Sequence, residues 1–234
     1  MKRFPGLHRL SILLFLPLAL LLTPSCSAAG GKTMVWDFEK SPEGSVPQGW
    51  RTAATNAKSL PVWRVIKRAD APSGSHVLAM LQPAVKGGLF GIGSVFNICY
   101  YPALSLKDPV ISVKFRSVSG KEDRGGGIMW RVKNSGTYYV ARFNPLEDNF
   151  RIYYVKEGKR VKIASAKVSL KPDRWHSMKI VQKGERFTCY LDGKPLLSGR
   201  DGHIEGAGGV GLWTKADAVT LFDDFMVKRA EEKE

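Results

Sequence analysis

One stretch of this 234-residue chain carries most of the side chains that could do chemistry. Between positions 138 and 153, tyrosine, arginine and asparagine share one alternation, and mostly apolar residues fill the other. Side chains alternate between the two faces of a strand, so each strand directs its polar residues to one face. If these strands are neighbours, we expect the polar set to share one solvent-facing surface, and we expect that surface to be concave. Tyrosine stacks on sugar rings, and the arginine fork donates to carboxylates and vicinal hydroxyls. The pattern predicts a carbohydrate cleft with a bias for acidic glycans. Its predicted members are Arg131, Tyr138, Arg142, Asn144, Arg151 and Tyr153.

Groups for acid–base chemistry are scarcer. His176 lies at a strand start and is a candidate for a general base, unless it is an edge residue held by hydrogen bonds. A carboxylate on the sheet is the other candidate for the base. Glu147 and Asp148 follow a proline in a predicted turn, where acidic residues usually face solvent. Asp223 and Asp224 are adjacent, so a regular strand would point them to opposite faces. The alternative for the arginine and tyrosine set is an ordinary outward strand face, which both residue types fit.

The elements that must position these groups are short. Glycine and proline divide the chain after residue 30 into segments rich in β-branched and aromatic residues, with the spacing of a β-sandwich or barrel. No sustained helical period with caps occurs there. Asp192-Gly193 between two alternating apolar runs is a strong hairpin signal. The fold class predicted is therefore all-β, an antiparallel β-sandwich. Predicted strands are 34–38, 63–66, 76–80, 94–99, 110–118, 126–133, 138–144, 150–156, 162–167, 175–183, 186–191, 194–199, 209–214 and 219–228.

The first residues indicate export. A basic head with Lys2 and Arg3 precedes an apolar run over residues 10–22 and then small residues up to Ala29, which is the order of a secretory signal peptide. We predict a signal peptide at 1–29, a single β-sandwich domain at 30–228 and a charged tail at 229–234. The protein would be periplasmic, outer-membrane-anchored or extracellular. An alternative processing site would leave a lipid on Cys26, so the membrane is a partner only through the signal or this anchor.

Charge and cysteine content limit the partners. The formal net charge is +15, and basic residues are scattered rather than clustered. A basic surface can attract nucleic acid, anionic lipid or an acidic polymer, and export disfavours nucleic acid. We therefore expect no nucleic-acid partner, and either a solvated basic surface or an anionic polysaccharide. After signal removal Cys99 and Cys189 remain, as a disulfide or as buried free thiols. The sequence leaves the oligomeric state open.

Several strings occur in a familiar order. Trp175-His176 opens a predicted strand, Asp192-Gly193-Lys194 turns the chain, Gly211-Leu212-Trp213-Thr214 follows, and Phe222-Asp223-Asp224-Phe225 closes the domain. Residues 34–228 thereby resemble the laminin-G-like and 3-keto-disaccharide hydrolase branch of the concanavalin A-like lectin/glucanase superfamily. The resemblance implies a jelly roll that handles carbohydrate. It also implies that Trp213 and Lys215 flank the cleft.

Whether the protein is an enzyme stays open in the sequence. The Glu-x-Asp-x-x-Glu string of the best-known glucanases of that superfamily is absent, so a paired-carboxylate mechanism lacks its residues. If the protein reacts, the resemblance implies glycoside cleavage of the 3-keto-sugar type, in which an acidified α-proton permits elimination. A non-catalytic adhesion or structural module of the cell envelope is the alternative. Jelly rolls often hold a structural Ca²⁺ where first and last strands meet, and Asp37, Glu39 and Asp224 are the candidate ligands.

Overall fold

Two antiparallel sheets make up the part of the chain that the computed structural model describes, residues 33–85 and 94–229 together with Met1. Strands are numbered in chain order. The eight-stranded sheet contains β1 (Met34–Trp36), β3 (Val62–Lys67), β4 (His76–Gln82), β6 (Pro109–Ser119), β11 (His176–Lys183), β12 (Arg186–Leu191), β13 (Lys194–Arg200) and β15 (Val219–Arg229). The seven-stranded sheet contains β2 (Arg51–Thr55), β5 (Phe96–Leu106), β7 (Gly126–Asn134), β8 (Thr137–Asn144), β9 (Asn149–Lys156), β10 (Lys159–Lys167) and β14 (Gly208–Lys215).

The strand order explains how distant segments meet. The eight-stranded sheet runs β13-β12-β11-β6-β15-β4-β3, with β1 paired to β15. The seven-stranded sheet runs β10-β9-β8-β7-β14-β5-β2. The antiparallel sandwich predicted from the sequence is confirmed, and each predicted strand overlaps an observed one. The sequence missed β2, an edge strand of Arg51–Thr55 whose small and polar residues give no apolar alternation.

Alternating burial on the eight-stranded sheet defines the main core. On β6, Ile111, Val113 and Phe115 are buried, and the residues between them are not. This is the pattern of an antiparallel strand with one face on the core and the other towards water. The Asp192-Gly193 hairpin between β12 and β13 is confirmed, since both residues have positive φ (46° and 76°), as a type I′ turn requires.

The central strands of the seven-stranded sheet are buried on both faces. Every residue of β14 up to Thr214 is buried, as is every residue of β8 after Thr137. One face packs in the core between the sheets. The other face has its own apolar cluster, which includes Met129, Val140, Val155 and Trp213. This second cluster lies on the face where the sequence predicted a solvent-facing cleft.

Cys99 and Cys189 are free and fully buried, so the free-thiol alternative describes them and the disulfide does not. Burial in apolar surroundings raises the pKa of both thiols, which keeps them protonated and unreactive. No helix in the described ranges could span a membrane. The predicted signal peptide, the Cys26 lipidation site and the tail beyond Arg229 lie outside the described residues.

A bulge in β15 corrects the prediction for Asp223 and Asp224. The register against β6 shifts between Asp223 and Met226, and Asp224 has φ of 49°. The bulge turns both carboxylates to the same partner, because Ser73 N–H donates to Asp223 Oδ2 at 3.0 Å and the Ser73 hydroxyl donates to Asp224 Oδ1 at 2.8 Å. The prediction of opposite faces was wrong because it assumed a regular strand.

We expect Asp223→Asn to remove a pH-dependent loss of stability. Burial, with a smaller contribution from the charge of Asp224, raises the pKa of Asp223 from 3.8 to about 6. A raised carboxyl pKa contributes stability below pH 3.8 that is lost as the pH rises through about 6. Between these values the wild type should lose about 2 to 3 kcal/mol that the variant keeps. Urea unfolding across this range measures the difference, with exposed Glu43→Gln as control; parallel curves for wild type and Asp223→Asn would contradict the prediction.

Candidate functional site

The seven-stranded sheet is strongly curved. Arg160 on β10 places its guanidinium carbon 5.9 Å from the centre of the Trp213 ring on β14 and 5.1 Å from that of Phe96 on β5. In a flat sheet β10 and β14 would lie about 19 Å apart, beyond the reach of one arginine. Asn56, just after β2, also donates to the Gly158 carbonyl in the β9–β10 turn, although β2 and β10 are opposite edges. The face directed away from the eight-stranded sheet is therefore concave, and we call it the concave face.

Most of the predicted cleft residues share this concave face but are not solvent-facing. Cross-strand pairing puts Arg142 opposite Arg151 and Tyr153 opposite Val140. The expectation of solvent exposure was wrong because the curled sheet covers its own concave face. The buried members, with their exposed fractions, are Tyr138 (0%), Arg142 (1%), Asn144 (1%), Tyr153 (4%) and Trp213 (0%).

Arg142 is the centre of the site. Its Nη2 donates to both oxygens of Glu147 at 3.3 and 3.2 Å and lies 3.5 Å from the Tyr153 hydroxyl. Its Nε and Nη1 are buried and have no hydrogen-bond partner among the described residues. A buried donor without a partner costs about 1 to 3 kcal/mol, more when charged. Among the described residues, Arg142 therefore has two buried donor atoms that no acceptor satisfies.

Glu147 in the β8–β9 turn joins the polar residues at this end of the concave face. Its carboxylate accepts from Arg151 Nη1 at 2.7 Å, Asn149 Nδ2 at 2.9 Å and Asn144 Nδ2 at 3.3 Å, besides Arg142. Partial burial alone would raise the pKa of Glu147, but the Asn149 hydrogen bond and the Arg142 charge outweigh it and lower the pKa. The sequence treated this turn acid as a solvated loop residue. Its side chain is 38% exposed, yet it organises the site and marks its solvent edge.

A second carboxylate, Asp123, enters from the β6–β7 loop. It is 1% exposed and pairs with Lys215 Nζ at 2.9 Å. Asp217 fixes the loop, because its carboxylate accepts from the backbone N–H groups of Lys121, Glu122 and Asp123 at 2.7 to 3.0 Å. Burial raises the pKa of Asp123, and the charges of Arg142 and Lys215 oppose this only partly. The two carboxyl groups of the site therefore have pKa values shifted in opposite directions, as in sites that separate acid and base roles.

Aromatic side chains line the rest of the concave face. The Arg160 guanidinium carbon lies 4.4 Å from the centre of the Tyr153 ring, and its Nη1 is buried without a partner in the described ranges. Trp213 is no open sugar platform, because it is fully buried and its Nε1 donates to the Tyr138 hydroxyl at 3.2 Å. Tyr138 in turn is hydrogen-bonded to Thr55 at 2.8 Å. Trp213 and Tyr138 thus build the floor of the concave face, and the Arg160 guanidinium lies over the rings of Trp213 and Tyr153.

Two predicted site residues lie elsewhere. Arg131 has φ of 48° in an irregular part of β7, and its guanidinium donates to the carbonyls of Lys107 (2.8 Å) and Ile204 (2.9 Å), so it ties loops together rather than joining Arg142. The Nδ1 atom of His176 is hydrogen-bonded to Asp192 Oδ2 at 2.7 Å, and its Nε2 atom is hydrogen-bonded to the Lys171 carbonyl oxygen at 2.9 Å. Both of its ring nitrogens are engaged, so the hydrogen-bonded edge residue describes it better than a free base.

The candidate calcium ligands have protein partners. Asp37 accepts from the Glu39 N–H at 3.2 Å, and Asp224 accepts from a serine. Glu39 accepts from the backbone N–H groups of His76 and Ser75 at 2.6 and 2.8 Å, which with the His76 side chain lower its pKa to about 2. Within the described ranges, no group of three or more His, Cys, Asp or Glu side chains is arranged to hold a metal. The calcium site stays a prediction without support from these residues.

Sequence reasoning missed Asp123 and Arg160 and undervalued Glu147. Asp123 lies in a loop before three glycines, where no periodicity assigns a face. Arg160 belongs to a lysine-rich edge strand that looks solvated, and only the sheet curvature turns it inward. Strand alternation alone found Arg142, Asn144 and Tyr153, because all three lie in regular strands.

Known structures share this architecture. The carbohydrate-binding module CBM66 from Bacillus subtilis has 19% sequence identity and a TM-score of 0.59, over 77% of this chain and 95% of that one. The cellulose induced protein Cip1 has 12% identity and a TM-score of 0.58, over 86% and 99%. The carbohydrate recognition domain of Emp47p has 14% identity and a TM-score of 0.53, over 87% and 99%. At these identities the likeness shows the fold, a jelly roll of the concanavalin A-like class, as the sequence predicted.

The family can be stated more narrowly. The model of the 3-keto-alpha-glucoside-1,2-lyase-like domain matches residues 43–228, and the chain therefore belongs to that family. No curated protein sequence matches the chain significantly. The resemblance drawn from the strand motifs is confirmed, and the protein is a carbohydrate-related β-sandwich.

Proposed function

We propose that this protein is exported and binds an oligo- or polysaccharide on its concave face at Arg142. The observation that carries the proposal is the buried Arg142 guanidinium with two donors that have no partner in the described part of the chain. Export is supported by the order of charge, apolar run and small residues over 1–29. Mass spectrometry of the protein recovered from cells tests that part, because residues 1–29 would be missing or Cys26 would carry a lipid.

The orphaned atoms match the hydrogen-bonding of a sugar. Arg142 offers free donors, and the buried Asn149 Oδ1 is an acceptor without a partner in the described ranges. A hydroxyl both donates and accepts, so neighbouring hydroxyls on a sugar ring can satisfy both groups. Tyr153 adds an aromatic surface, and Arg151, whose side chain is 29% exposed, lies with Glu147 at the solvent edge. Hydrogen-bond donors, an acceptor, an aromatic ring and a solvent-exposed edge thus lie within one small area. This combination favours a sugar over an apolar ligand.

A glycan array probed with the purified protein tests the proposal. We expect retention of a defined glycan family, with dissociation constants then measured by calorimetry. The matched control is Tyr190→Ala, because Tyr190 lines a cavity of about 460 Å³ on the outer face of the other sheet. That variant should bind as the wild type does. Loss of binding in Tyr190→Ala would move the site to the other sheet, and no retained glycan from a folded sample would overturn the proposal.

Cleavage of a 3-keto glycoside is the second candidate function, and Asp123 favours it. A carboxyl group whose pKa is raised by burial, and which pairs with Lys215, has the properties of a candidate general base. In a 3-keto sugar the ketone acidifies the proton on C2. Asp123 would take that proton as the C1–O bond breaks and the leaving group departs with the bonding electrons. The family membership supports this chemistry, and a non-catalytic adhesion or structural module of the envelope remains the alternative.

A further inference from the structure

We infer that Arg142 and Arg160 form a subsite for the carboxylate of an acidic sugar. This inference rests on the proposed carbohydrate binding and adds the chemical class of the ligand. Both guanidinium groups lie near one ring: the carbon of Arg142 lies 5.9 Å and that of Arg160 lies 4.4 Å from the centre of the Tyr153 ring. They come from strands two places apart, β8 and β10, and both approach the Tyr153 ring of β9, the strand between them.

Both guanidinium groups have buried N–H donors that no described residue accepts from. Arg142 lacks partners at Nε and Nη1, and Arg160 lacks one at Nη1, within the described residues. Stacking on an aromatic ring satisfies the face of a guanidinium but leaves its in-plane N–H groups unpaired. If Arg160 served only to stabilise the fold, its buried Nη1 donor would have no hydrogen-bond partner among the described residues. A carboxylate has two oxygens and about four acceptor positions, enough to receive from both arginines.

The local charge balance also favours an anion. In the described part of the chain, four cations surround the site and two carboxylates oppose them. The cations are Arg142, Arg151, Arg160 and Lys215, and the carboxylates are Glu147 and Asp123. Glu147 is already occupied by three hydrogen-bonding side chains besides Arg142, and Asp123 pairs with Lys215.

The excess charge falls on the two arginines. Burial and the nearby Arg142 charge both lower the pKa of Arg160, so the two cations repel each other. A bound carboxylate would relieve this repulsion in a site of low dielectric, where charged hydrogen bonds are strong.

Matched ligands can separate this inference from carbohydrate binding itself. Oligomers of galacturonate, alginate and hyaluronan are each compared with their carboxyl-reduced counterparts, which keep the chain but lose the charge. Calorimetry on the full chain is expected to give at least about tenfold tighter binding of an acidic oligomer than of its reduced form. The preference should weaken as salt rises.

Substitutions of Arg160 test its role in the carboxylate subsite directly. Arg160→Gln should erase the preference for the acid while leaving the affinity for the reduced oligomer within about twofold. Arg160→Lys, which keeps the charge, should retain part of the preference and guards against a folding defect. Lys159→Gln, an exposed neighbour on the same strand, should change neither affinity.

Equal binding of acidic and reduced oligomers by the wild type would overturn the carboxylate subsite and leave carbohydrate binding standing. An acid preference that survives Arg160→Gln unchanged would also overturn it. Binding of neither form would overturn the subsite and the proposed function together.

Discussion

Arg142→Met is expected to abolish glycan binding while leaving the protein as stable as the wild type or slightly more stable. The affinity should fall at least about a hundredfold, since two charge-assisted hydrogen bonds are each worth about 1.5 to 3 kcal/mol. The stability prediction follows from the same unpaired atoms. Methionine has a flexible apolar side chain of similar length, and it removes buried Nε and Nη1 donors that no described residue satisfies.

Removal of one partner of a buried ion pair usually destabilises a protein because the other charge is stranded. Here Glu147 would keep Arg151 at 2.7 Å and Asn149 at 2.9 Å, and its side chain is 38% exposed. We therefore expect the free energy of unfolding of Arg142→Met to be unchanged or about 1 kcal/mol higher. A site that gains stability when its central residue is removed is one shaped by function rather than by folding.

Urea denaturation and calorimetric titration with the retained glycan measure the two effects. Arg51→Met is the matched control, since Arg51 is an exposed arginine on edge strand β2 of the same sheet and should leave both quantities unchanged. Retained affinity in Arg142→Met would remove Arg142 from the site. A loss of several kcal/mol in stability would instead make Arg142 a structural residue.

Asp123→Asn is expected to lower turnover of a 3-keto glucoside about a thousandfold while glycan affinity changes little. The substitution keeps the shape of the side chain but removes its ability to accept a proton. A nitrophenyl 3-keto-α-glucoside serves as the probe, because release of the nitrophenolate reports cleavage directly. Exposed Glu122→Gln on the same loop is the control and should retain full turnover.

The pH profile separates a base from a structural carboxyl group. A base works in its ionised form, so kcat/KM should rise with pH through the raised pKa of Asp123, and this rise should vanish in Asp123→Asn. Lys215 lowers the pKa of Asp123 through its charge and hydrogen bond. Lys215→Met should therefore move the midpoint to higher pH. Wild-type turnover that persists in Asp123→Asn would contradict the assignment, and glycan binding without any wild-type turnover would support the adhesion alternative.

The regular strands account for what could be foreseen of the site. Arg142, Asn144 and Tyr153 lie in uninterrupted parts of β8 and β9, where alternation fixes the face, so their common surface followed from spacing alone. The position of Arg131 did not follow from spacing. The register of β7 is interrupted between Trp130 and Asn134, and the alternation of faces is not maintained across such an irregularity. The prediction that Asp223 and Asp224 point to opposite faces was wrong for the same reason, because β15 has a bulge at these residues.

The sequence by itself determined the antiparallel sandwich and the family, because alternation, Asp-Gly turns and strand motifs are local signals. Only the tertiary structure decided that most of the predicted cleft residues on the concave face are buried. The inward position of Arg160 and the pairing of Asp123 with Lys215 depend on sheet curvature and on a loop held by Asp217. The contact of Arg160 with Trp213 and the ion pair of Asp123 with Lys215 each join residues that are far apart in the chain. Curvature sums small twists over seven strands, and no short segment of sequence encodes that sum.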